Sequence, residues 1–170
     1  MSVVVLSGNP RSGSRTLKAA LGVAEELTGG RPDHVVELSE LGPALLTPGD
    51  PGVAEAAAAV TGASLLVVAS PTFKASYTGL LKLFLDGLDH GALTGVTAVP
   101  LMLGAHWRHG LAADLLLKPV LVELGATVPT RGLFLLDSEY ADSPELTAWL
   151  PPARRQVAAA VDALAERTAP

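Results

Sequence analysis

At 170 residues the chain is long enough for one compact domain whose central sheet is covered on both faces, and too short for a second core. Hydrophobic residues at 49% against 17% charged suit an α/β protein with buried parallel strands rather than a disordered or coiled-coil chain. The absence of cysteine removes disulfides, thiolate nucleophiles and iron–sulfur ligation, and a net charge of −5 argues against general nucleic-acid binding, which needs clustered Lys and Arg.

Val3 to Leu6 reads as a short β-branched strand, and from Ser14 the spacing of Leu17, Ala20, Leu21, Ala24 and Leu27 predicts a helix. A second strand is expected at His34 to Leu38. A Gly/Pro-rich connection from Gly42 to Gly52 follows, with Asp50-Pro51 as N-cap and first helical residue and a helix over Ala54 to Thr61. Ser64 to Ala69 is nearly all apolar and breaks at Ser70-Pro71, as a strand buried on both faces would. Tyr77, Leu80, Leu81, Phe84 and Leu88 share a helical face, and Gly91 to Gly95 turns the chain into a strand at Val96 to Leu103. The rest reads as a helix over Leu111 to Leu124 carrying Pro119, a strand at Leu133 to Leu136, and a helical region over Glu145 to Arg167 interrupted at Pro151-Pro152. The longest apolar runs fall far short of a membrane span, and no basic segment precedes the first strand, so a soluble cytoplasmic protein is expected.

Five βα units imply a doubly wound parallel sheet, since parallel neighbours need crossovers and these cover both faces. Ligands of such sheets bind beyond the carboxyl ends of the strands, which directs attention to the loops Ser7 to Arg15, Ser70 to Ser76 and Leu103 to His109. The first combines hydroxyls, glycines, Arg11 and Arg15 ahead of a helix N-terminus, a mixture that suits a phosphate and equally suits an ordinary capped turn. The first acidic residue is Glu25, so Met1 to Ala24 is purely cationic. Neither the G-x-G-x-x-G fingerprint nor the Gly-Lys-Ser/Thr ending of a P-loop is present.

The second loop, Ser70-Pro71-Thr72-Phe73-Lys74-Ala75-Ser76-Tyr77, suits a flat heteroaromatic ring. Phe73 can pack beside the ring and Lys74 can offset negative charge on it, although Phe73 and Tyr77 also read as core anchors. In the third loop Gly104 and Ala105 allow close backbone approach. His106 and His109 lack a nearby carboxylate or cysteine partner, so no metal site is expected, and without a G-x-S-x-G elbow a hydrolase has no support.

Ser7-Gly8-Asn9-Pro10-Arg11-Ser12-Gly13-Ser14-Arg15-Thr16 resembles the phosphate loop of the NADPH-dependent FMN reductases, and Ser70 to Lys74 resembles their flavin-ring loop. Ser76-Tyr77-Thr78-Gly79-Leu80-Leu81-Lys82, Leu117-Lys118-Pro119-Val120-Leu121 and Leu124-Gly125-Ala126 are similar to the reductase components of two-component alkanesulfonate monooxygenases. The likeness runs from the first strand to about Leu136.

This resemblance implies a single flavodoxin-like domain over residues 1–170 that binds FMN and passes hydride from NADPH or NADH to flavin N5. It assigns cofactor binding to Ser7, Asn9, Arg11, Ser12, Ser14, Arg15 and Thr16 in the first loop. Pro71, Thr72, Phe73 and Lys74 are assigned in the second loop, and Gly104, Ala105 and His106 in the third, with no catalytic side chain. It also implies a homodimer or homotetramer packed through the helices after strands three and four, and a flavin-dependent monooxygenase as partner. The departures are Phe73 in place of a common tyrosine, Ala105 in place of a second glycine, His106 in place of a small hydroxyl residue, and Leu115 at an aromatic or polar helix insertion. An FMN-bound quinone or azo-compound reductase and a flavodoxin-like electron carrier are the alternatives. The acid-free segments Ser64 to Leu85 and His90 to Ala113 favour an anionic nicotinamide cofactor over carrier docking.

Overall fold

The structure, a computed structural model, describes residues 1–168. Strands β1 (Val3–Ser7), β2 (His34–Glu37), β3 (Leu65–Pro71), β4 (Thr97–Gly104) and β5 (Leu133–Leu136) form one parallel sheet in the order β2-β1-β3-β4-β5. Val5 lies between Val35 of β2 and Val67 of β3, and Leu6 between Val36 and Val68, so the apolar runs stack in register.

Alternate residues of each strand enter opposite cores because successive side chains leave a strand on opposite faces. Val3, Val5, Val67 and Leu101 pack under α1 (Arg15–Thr28) and α6 (Pro144–Thr168). Val4, Leu6, Val68 and Met102 pack under α3 (Pro51–Thr61), α4 (Gly79–Asp86) and α5 (Lys118–Glu123), while α2 (Leu38–Leu41) is a single turn after β2. Caps fix the helix starts: Ser14 Oγ accepts the Leu17 N–H at 3.2 Å, and Asp50 Oδ1 accepts those of Gly52 and Val53. Asp50-Pro51 thus begins α3 as the sequence implies, three residues earlier than Ala54.

Pro100 sits inside β4, an interior strand next to the edge strand β5, where a missing donor normally breaks a ladder. Ala98, two residues earlier and therefore facing the same side, donates its N–H to the Thr127 carbonyl. Pairing with β5 begins only at Leu101, so Pro100 faces the gap between Thr127 and β5 and forfeits no strand bond.

The structure departs from two expectations in detail. The helix expected over Leu111 to Leu124 forms with Pro119 inside it, but it opens as a π-helical turn at Ala113–Leu117 before continuing as α5. Proline cannot donate to the carbonyl four residues back and crowds it, and the wider turn ahead of Pro119 accommodates both effects. Leu115, at the position of the expected insertion, lies in that wide turn. Second, Pro151-Pro152 does not interrupt the C-terminal helix, for α6 runs through the pair. Trp149, Ala153 and Val157 are buried on one face of α6, whereas both prolines and the carbonyl-bearing Thr147 and Ala148 are exposed, where water can take the released acceptors. Tyr77 and Leu88 fall outside α4 but still pack against its core.

Candidate active site

The first, third and fourth strands end side by side, and their loops enclose an open cleft of about 410 Å³. Asn9, Arg11, Ser12, Ser14, Arg15 and Thr16 line it from the β1–α1 loop. Pro71, Thr72 and Phe73 line it from the loop after β3, and Gly104 and Ala105 from the loop after β4. Three expected residues do not line it. Ser7 is wholly buried at the end of β1, and its hydroxyl has no hydrogen-bond partner among the described residues. Lys74 and His106 are exposed outside the cleft wall.

The β1–α1 loop is organised by its own side chains. Asn9 Oδ1 accepts the Arg11 N–H at 2.9 Å, an Asx turn, and Asn9 Nδ2 donates to Thr16 Oγ1 at 2.9 Å, closing the loop onto the first turn of α1. Ser14 caps that turn, yet the N–H groups of Arg15 and Thr16 have no acceptor among the described residues. Two free amides at the start of a 14-residue helix, beside the exposed Arg11 guanidinium, form an anion-binding corner.

That corner is not purely cationic, as the sequence order suggested. Glu37, at the end of β2, accepts the Gly13 N–H at 2.9 Å and faces Ser12 Oγ at 3.4 Å. Asp137, just after β5, holds Arg15: Nη1 donates to its carbonyl at 3.0 Å and Nη2 lies 3.5 Å from its carboxylate. Asp137 and Leu103 also line the cleft. Asp137 was outside the expected set, although the rule that pointed to the carboxyl ends of three strands applies to β5 as well.

The loop after β3 folds back as a tight hairpin. Phe73 and Ser76 exchange backbone bonds of 2.8 and 3.2 Å, and the two residues between them, Lys74 (φ 52°) and Ala75 (φ 69°), are both left-handed. Two positive φ values between mutually bonded residues are the pattern of a type I′ turn, for which glycine or asparagine is usual. A non-glycine residue there costs about 1–2 kcal/mol, so this turn stores strain at the cleft rim, where Phe73 is 53% exposed.

Opposite it, Gly104 has no room for a side chain: a Cβ would come 2.8 Å from Phe134 Cζ and 3.1 Å from Thr72 Oγ1. Thr72 Oγ1 is itself buried without a partner among the described residues. An unsatisfied hydroxyl on the cleft wall, next to a glycine that lets Phe134 and Thr72 pack against the backbone, suits a ligand with a polar edge. With free amides and a guanidinium at the other end of the cleft, the arrangement fits a ring carrying a phosphate tail. Trp107, in a 3₁₀ turn after β4, tilts onto Phe134 with ring centroids 5.6 Å apart. Among the described residues no group of three or more His, Asp or Glu could hold a metal ion, and no helix is long and apolar enough to cross a membrane.

The family model for NADPH-dependent FMN reductases matches residues 1–141. The chain is 34% identical over 149 residues to the NADH-dependent FMN reductase SfnF of Pseudomonas fluorescens, covering 84% of this chain and 80% of that protein. It is 35% identical over 150 residues to an FMN reductase (NADPH) of Escherichia coli, covering 84% and 76%. Among solved structures, the apo form of an NADH:FMN oxidoreductase (EMOB) superposes with a TM-score of 0.76 at 35% identity, over 96% of this chain and 87% of that one. A Streptococcus pneumoniae flavodoxin at 18% identity and a TM-score of 0.61 shares the fold. This chain belongs to the NADPH-dependent FMN reductase family.

Proposed function

We propose that the protein is an NAD(P)H-dependent FMN reductase whose flavin occupies the cleft between the β1–α1 loop and the loops after β3 and β4. The observation that carries this reading is that free Arg15 and Thr16 amides and a Thr72 hydroxyl without a partner among the described residues stand on one cleft. Arg11, Ser14, Thr16 and the helix amides hold the phosphate. Pro71, Thr72, Phe73, Gly104 and Ala105, from the adjacent ends of β3 and β4, form the wall against which the ring lies. Ser7 has no part in this, being buried away from the cleft. Bound there, FMN supplies N5 as the acceptor of a hydride from nicotinamide C4. Alignment of the two rings is the protein's task, and it requires no side-chain acid or base.

Phe73 lines the cleft with half-exposed aromatic surface, and the loops after β3 and β4 carry the exposed cations Lys74 and Arg108 with no acid on the same segments. This surrounding suits a dinucleotide with its negative phosphates. Leu111, Leu115, Leu116 and Val122 expose apolar surface along the π-turn and α5, the face through which we place a homodimer or homotetramer. Reduced FMN would then pass to a flavin-dependent monooxygenase.

Anaerobic titration with FMN, followed by NADPH or NADH, tests the function. Binding followed by rapid bleaching of the flavin absorbance is expected. Binding without bleaching would identify an electron carrier instead, and no binding would overturn the site.

A further inference from the structure

The two carboxylates that fold onto the phosphate loop have no place in a design for tight phosphate capture. Glu37 uses the Gly13 N–H and faces the Ser12 hydroxyl, both groups of the same loop that offers its remaining donors to an anion. Asp137 lines the cleft and engages Arg15, one of the loop's two cations. They arrive from the ends of the two edge strands, β2 and β5, so each flank of the loop carries one negative charge. A phosphate monoester brings a charge of about −1.5 to −2 at neutral pH, which Asp137 opposes from the cleft wall and Glu37, bonded to Gly13 of the same loop, opposes from just outside the cleft lining. Arg15 is not locked away, because its pair with Asp137 is largely exposed and such pairs are weak.

Resting on the FMN reading above, we propose that Glu37 and Asp137 set the affinity for the flavin phosphate. They hold the β1–α1 loop in shape while keeping its net charge low enough for FMN to leave between turnovers. Each bond to the loop fixes geometry, and each charge opposes the ligand. Replacing the carboxylate by the matching amide separates the two effects, since a glutamine oxygen in Glu37→Gln still accepts the Gly13 N–H, and the Asp137 bond to Arg15 Nη1 runs through the backbone carbonyl, which Asp137→Asn leaves in place.

The experiment is equilibrium titration of wild type, Glu37→Gln and Asp137→Asn with FMN and with riboflavin, which lacks the phosphate, followed by flavin fluorescence. Both variants are expected to bind FMN about three- to tenfold tighter with riboflavin affinity unmoved, and added salt to narrow the difference. Unchanged or weaker FMN binding in both variants, with wild type still preferring FMN to riboflavin, overturns this inference and leaves the phosphate site standing. An equal shift for FMN and riboflavin also overturns it, since the carboxylates would then act only as braces. If wild type binds riboflavin as well as FMN, the phosphate reading itself fails and the inference falls with it.

Discussion

Thr78 Oγ1 donates a 2.6 Å hydrogen bond to the Gly8 carbonyl and accepts the Leu81 N–H at 3.1 Å, so one hydroxyl both caps α4 and fastens the phosphate loop to the ring loop. Thr78 is buried, and its own N–H is taken by Ser70 Oγ at 3.0 Å. Gly8 is held equally close, since a Cβ there would meet Leu81 Cβ at 2.6 Å. The two halves of the cleft are therefore tied to each other through a buried hydrogen bond and close packing.

Thr78→Val keeps the volume but leaves the Gly8 carbonyl and the Leu81 N–H without their partner. Adding the loss of a cap to the loss of a buried hydrogen bond, the variant should lose about 2–3 kcal/mol in urea unfolding. Thr78→Ser, which retains the hydroxyl, should lose about 1 kcal/mol or less. Equal losses in the two variants would mean the hydroxyl carries no tie.

Gly104→Ala inserts a methyl between Phe134 and Thr72 Oγ1, both on packed elements. Overpacking of this kind costs about 1–3 kcal/mol. Because Gly104 lines the cleft, FMN and riboflavin should weaken together, unlike a change in the phosphate loop. A variant that binds riboflavin as tightly as wild type would show that the ring does not lie against Gly104.

The strands were legible because buried parallel strands are runs of apolar residues closed by Ser-Pro or Gly, and β5 at Leu133–Leu136 is the stretch expected. Eleven of the fourteen expected site residues line the cleft, since the carboxyl ends of β1, β3 and β4 could be placed from topology alone. Ser7 reads as a loop residue, yet it continues β1 by one position and the pleat buries it. Glu37 and Asp137 escaped notice because they reach the loop across 24 and 122 residues of chain, a proximity created only by the sheet order. The Lys74-Ala75 turn was illegible for a different reason: nothing in either residue type favours positive φ, and the surrounding fold imposes it.

That imposed strain is measurable. Ala75→Gly removes the Cβ penalty at φ 69° where the hairpin already closes through Phe73 and Ser76, and should raise stability by about 1 kcal/mol despite the greater freedom of glycine in the unfolded chain. The check is the urea midpoint at unchanged slope. A destabilised Ala75→Gly would mean that the turn is not strained at this residue.

Arg11 and Arg15 differ in a way that makes their deletion informative as a pair. Arg15 is already engaged by Asp137, whereas the Arg11 guanidinium has no hydrogen-bond or ion-pair partner among the described residues. Arg11→Ala therefore removes a charge that only a ligand uses, and stability should stay within about 0.5 kcal/mol of wild type. A charge-assisted bond to phosphate contributes about 1.5–3 kcal/mol, so FMN affinity should fall roughly 10- to 100-fold while riboflavin affinity holds. Arg15→Ala should weaken FMN less, because the wild-type residue must first give up part of its contact with Asp137, an effect that the carboxylate left unpaired at the cleft wall offsets only in part. Parallel titrations of the two variants with FMN and riboflavin decide the matter. Should Arg15→Ala prove the more damaging, the phosphate sits toward the β5 side of the loop, and Arg11 faces solvent in the complex as it does in the free protein.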